Sequence, residues 1–70
     1  MLTNTELLRD KIKESGLKQG YIADKLNLSR FGLLKKINNE SEFKAGEIQT
    51  LCEILQIKSL MEKEKIFFGK

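Results

Sequence analysis

Seventy residues with a net charge of +3 allow one domain, near the lower size limit for a core without staples. One Cys and no His exclude an internal disulfide, a zinc site and the commonest general base, and the absence of Pro points to long uninterrupted helices with short joints. The chain is 40% apolar, enough for a small core, and no apolar run approaches the roughly 18–20 residues of a membrane span. The opening residues carry neither the basic nor the apolar region of a secretory signal. The expectation is a soluble, cytoplasmic, all-α chain of one domain over residues 1–70, with no cofactor, metal or small-molecule ligand.

The apolar pattern has helical period nearly throughout. Thr3-Asn4-Thr5-Glu6 fits a capping box with Thr3 as N-cap and Glu6 reaching back, and Leu2 and Leu7 occupy staple positions around it. A first helix is expected over about 4–15, with Leu8 and Ile12 on one face and Gly16 as its stop. A short second helix runs from Lys18 to Leu26, with Ile22, Ala23 and Leu26 as its buried stripe. Asn27 tolerates the left-handed conformation of a tight turn, and Leu28 anchors that turn. Ser29 is the natural N-cap of a third helix ending near Asn38, with Leu33 and Ile37 as its core pair.

A polar loop, Asn39-Glu40-Ser41-Glu42, follows, and Phe43 is expected to plug the core. A fourth helix over Ala45–Gln56 buries Ile48, Leu51, Cys52 and Leu55 at i, i+3, i+4, i+7. Ser59 and Glu62 read as a second capping box opening a fifth helix. Met61 is expected to fill the core. Ile66-Phe67-Phe68 packs on the first helix, forms a dimer seam or ends as a tail. Two adjacent Phe in water favour the first two.

Charge is unevenly spread. Residues 1–28 hold five bases and four acids, 39–57 one base and four acids, and 58–70 four bases and two acids. Residues 29–38 hold Arg30, Lys35 and Lys36 and no acid. With Leu33 and Ile37 set inward at 0° and about 40°, Phe31 and Lys35 fall near 160° and 200°, and Arg30, Leu34 and Asn38 near 60°, 100° and 140°. The outward face therefore joins two cations to a Phe and a Leu. In a DNA major groove Arg reads guanine, Lys reads guanine or phosphate, and apolar groups touch thymine methyls. Phe31 can instead pack on helix 1 or 2, and Leu34 is divided between the groove edge and local packing.

The run Gln19-Gly20-Tyr21-Ile22-Ala23-Asp24-Lys25-Leu26-Asn27-Leu28-Ser29-Arg30-Phe31-Gly32-Leu33-Leu34-Lys35-Lys36-Ile37-Asn38 resembles the helix-turn-helix of lambda-repressor-like proteins, the Cro/cI (XRE) superfamily. Glu42-Phe43-Lys44-Ala45-Gly46-Glu47-Ile48 and Ile66-Phe67-Phe68 look like a small Cro-like group from phages and prophages of Gram-positive bacteria. Departures are Asn27 where Gly is usual, Lys18 where Ser or Thr caps, and Lys36 at a position often apolar. Gly20 and Gly32, each costing roughly 1 kcal/mol of helix propensity, point to close approach of a helix or a DNA backbone.

The resemblance implies a compact five-helix fold with a helix-turn-helix at about 18–38 and a packing or dimerisation segment at 58–70. It implies a repressor-type transcription regulator acting as a homodimer on a palindromic double-stranded DNA operator. Ser29, Arg30, Phe31 and Lys35 would face base edges. Gln19, which would also brace Arg30, and Asn38 would hold phosphates, with Lys18, Lys36 and Lys44 as further backbone contacts. The rival reading is a protein-binding helical module, an antitoxin or accessory factor, anchored through Phe31 and Leu34. Catalysis is not expected, because the chain has no His, no convergent carboxylate pair and no Gly-rich phosphate loop.

Overall fold

The computed structural model describes residues 3–68 and contains five helices: α1 Thr5–Ser15, α2 Gln19–Lys25, α3 Arg30–Ile37, α4 Ala45–Ile54 and α5 Leu60–Phe67. No strand occurs among the described residues. None of these helices is long and apolar enough to cross a membrane. The helices enclose one core of 14 buried apolar residues, to which every helix and both long joints contribute. Leu8, Ile22, Leu33 and Leu51 are fully enclosed, and Phe43 meets Phe67 edge to face at 5.7 Å between ring centres.

The start of α1 differs from the capping box expected at Thr3. Asn4 is the N-cap, its Oδ1 accepting from the Leu7 N–H at 3.1 Å. Glu6 is thereby one position early for a reciprocal bond. Thr3 is drawn inward instead, because the Asn39 side chain brackets its backbone. The Thr3 N–H donates to Asn39 Oδ1 at 2.8 Å and Asn39 Nδ2 donates to the Thr3 carbonyl at 2.7 Å. The Thr5 hydroxyl donates to the Ile37 carbonyl at 2.6 Å, and the Asn4 N–H to the Ile66 carbonyl at 2.6 Å. One short segment thus ties the end of α3 to the end of α5. Leu2, the expected staple partner, lies outside the described residues, and Leu7 lies at the surface.

The joints share one device. Asn27, Asn39 and Gln56 have φ of 61°, 65° and 57°. At each, the next residue's N–H reaches back to a carbonyl one turn inside the helix: Leu28 to Ala23 at 2.8 Å, Glu40 to Lys35 at 2.8 Å, and Ile57 to Cys52 at 2.8 Å. These are Schellman closures, which stop a helix and satisfy its last carbonyls. The third one ends α4 at Ile54, earlier than its periodicity implies, and sends Ile57 into the core.

At α5 the capping box is half formed. Ser59 Oγ accepts from the Glu62 N–H at 3.4 Å, while the Glu62 carboxylate pairs with Lys11 at 3.0 Å. Ile66 and Phe67 are buried in their own chain, so of the uses expected for that segment the packing one is realised. Met61 is not core filler. It is 69% exposed, because five residues back from Ile66 lies about 140° around the helix. Cys52 is half-buried at the edge of the core, and burial raises its thiol pKa.

Candidate nucleic-acid interface

The placement of α3 determines what it can offer. Leu33 and Ile37 are buried and turn the opposite side outward. The Ser29 Oγ caps the helix, accepting from the Gly32 N–H at 3.0 Å. A Cβ on Gly32 would stand 3.2 Å from that oxygen, so glycine here keeps room for the cap rather than for another helix. An accepting hydroxyl still has its own hydrogen to donate, so Ser29, which is exposed, remains available to a ligand.

Phe31 is 72% exposed, which rules out its burial against α1 or α2. Lys35, also exposed, holds its Nζ 5.5 Å from the Phe31 ring centre, so cation and ring form one unit. Leu34 is half-buried at the rim. Arg30 is exposed and lies across the start of α2, where a Cβ on Gly20 would meet its Cδ at 3.7 Å. Lys18, Gln19, Tyr21 and Arg30 line one shallow hollow. The expected neighbours Gln19 and Arg30 are thus brought together around it.

Lys36 does not join this surface. Its residue is 8% exposed, and its Nζ lies 2.6 Å from Glu47 Oε1. The same carboxylate oxygen accepts the Lys44 N–H at 2.8 Å, fastening the start of α4 to α3. Burial pushes the Glu47 pKa up, but the bonds from Lys36 and from the Lys44 N–H, with the charges of both lysines, outweigh it and hold the carboxyl below its usual 4.5. Lys36 occupies a position 60° from Leu33 by helical geometry, which accounts for its inward placement. Lys44 is exposed at the N-cap of α4, directly after buried Phe43.

Asn38 caps α3 and is exposed, and its Oδ1 accepts from Arg9 Nη2 at 2.6 Å. That bond brings in α1, which the charge distribution of the sequence does not single out. Arg9 and Lys13, one turn apart on α1, line a second hollow together with Gln19 and Leu34. The i, i+4 spacing of the two cations was visible in the sequence. Their alignment with Gln19 and Asn38 depends on how α1 packs, which local pattern does not state. Among the described residues, no group of three or more His, Cys, Asp or Glu could hold a metal ion.

No family model, curated protein or solved structure matches the chain.

Proposed function

We propose that this chain is a sequence-specific DNA-binding regulator of transcription, a Cro-like repressor with a lambda-repressor-like helix-turn-helix at about 18–38. The observation that carries the reading is the outward side of α3: Arg30, Phe31 and Lys35 all exposed, with no acid within the helix. Arg30 and Lys35 supply groups that recognise guanine edges, and Phe31 an apolar contact for thymine methyls. Ser29 adds a hydroxyl at the same end as Arg30. Gln19, Lys18 and Asn38 flank the face and suit phosphate contacts, and Lys44 is a further exposed cation at the N-cap of α4. Lys36 is left out of that set because Glu47 occupies its ammonium.

The longest dimension of the described chain is 27 Å. Successive major-groove faces recur every ~34–36 Å, so one copy reads one half-site and a palindromic operator takes a homodimer. Selection from a random duplex pool tests this, with recovery of a palindromic consensus expected. Arg30→Ala should then weaken the cognate duplex by about 1–3 kcal/mol and a scrambled one far less. Equal binding of both duplexes by parent and variant would sink the assignment.

The 72% exposure of Phe31 also favours a second reading, a protein-binding helical module anchored through Phe31 and Leu34. Salt separates the two. Phosphate contacts make affinity fall steeply with ionic strength, while an apolar protein interface changes little.

A further inference from the structure

We infer that the hollow between α1 and the α2–α3 pair is a second phosphate-binding site, in which Arg9 and Lys13 grip the backbone of the same DNA. The inference rests on the DNA-binding reading above and adds an element to it that the sequence did not mark. Arg9 and Lys13 project from successive turns of α1 into a hollow that they share with Gln19, and no acid lines it. Its remaining walls are apolar, with Leu34 among them. A recess lined by one sign of charge and backed by low-dielectric walls focuses the field on an incoming anion.

The Arg9–Asn38 bond sharpens the geometry. Arg9 Nη2 donates to Asn38 Oδ1, so the Asn38 amide is held with its acceptor satisfied. Its NH2 group remains as a donor, as do the other guanidinium N–H groups. A phosphodiester oxygen needs donors only. The paired side chains therefore present donors at the C-terminal end of α3, while Gln19, at the start of α2, lines the same hollow as Arg9. Phosphates positioned on this side would fix how α3 enters the groove without reading sequence.

The experiment measures duplex affinity against salt for the parent, R9Q/K13Q, K13Q and K58Q. Two probes are used: the duplex selected by the parent from a random pool, and a scrambled duplex of equal composition. Lys58 is exposed and lines a different hollow, on the α4–α5 side, so K58Q is the control cation. Each lost phosphate contact flattens the plot of log affinity against log salt by about 0.9. We expect K13Q to remove about one unit of slope and R9Q/K13Q about two. Both should weaken the two duplexes by the same factor, and K58Q should match the parent. K13Q leaves the Arg9–Asn38 bond intact, so its loss of slope does not depend on disturbing α3. An unchanged slope in R9Q/K13Q, or a loss confined to the selected duplex, overturns the inference and leaves the DNA reading standing. Failure of the parent to bind any duplex overturns both.

Discussion

Replacing Lys36 by Met should destabilise the fold strongly at neutral pH and hardly at all in acid. Met keeps the length and apolar packing of the lysine stem and removes only the ammonium. That ammonium lies 2.6 Å from Glu47 Oε1, with the two side chains 10% and 13% exposed. Removing one partner of a fully buried pair costs roughly 3–5 kcal/mol, because the other charge is stranded. Here Glu47 retains the Lys44 N–H and a little solvent, so about 2–3 kcal/mol is expected. A domain of this size has about 4–10 kcal/mol in total. The midpoint of thermal unfolding should fall by about 10–20 °C.

The pH dependence fixes the cause. In the parent, Glu47 titrates below its usual 4.5, so its stabilisation is complete above that value and is lost as pH falls through the lower, folded value. In Lys36→Met, burial acts on Glu47 with its main cation gone, and the carboxyl shifts upward. The penalty then exists at neutral pH and is relieved by protonation in acid. Urea unfolding followed by circular dichroism at neutral pH and at about pH 4 should show the two proteins converging. Lys36→Met/Glu47→Gln, which keeps an acceptor for the Lys44 N–H without the charge, should recover most of the loss. A cost under about 1 kcal/mol at neutral pH, or a double variant no better than the single one, would refute the reasoning.

Two further outcomes follow from the joints. Gln56 holds a left-handed φ of 57° with a side chain that no described hydrogen bond needs, so Gln56→Gly should stabilise the fold by about 0.5–1 kcal/mol in the same urea assay. Asn39 holds a similar φ, but its amide brackets Thr3. Asn39→Gly should therefore destabilise by about 1–3 kcal/mol despite the easier backbone, and amide exchange at Thr3 should speed up.

Much of the architecture was legible because it is local. The Leu33–Ile37 pair, the Ser29 cap, the left-handed Asn27 and the plug at Phe43 each follow from residues a few positions apart, and all occur as expected. The exposed side of α3 was legible for the same reason, since burial of one stripe dictates the other. What failed to show depends on distant partners. Thr3 looked like a cap until Asn39, far along the chain, took hold of its backbone. Lys36 looked like a free cation until Glu47 on the next helix met it. Arg9 showed only its i, i+4 spacing to Lys13, and its contact with Asn38 gave that spacing a place beside α3. In each case a polar side chain could serve two ends, and only tertiary packing chose between them.

The bond from the Asn4 N–H to the Ile66 carbonyl also bears on when folding can begin. During synthesis α1 emerges before α5, yet its cap region is anchored to α5 and to the end of α3. Leu8 and Phe67 lie fully enclosed in one core. Closure of the chain from α1 to α5 must therefore precede completion of that core, at a loop-entropy cost that helical hairpins avoid. A nascent chain that lacks α5 would expose Phe43 and the side of α1 that α5 covers, and is a natural target for chaperones and proteases. Because α3 packs on α2 and α1, a prematurely terminated chain lacking α5 would keep the α2–α3 pairing and lose the anchor that holds the start of α1.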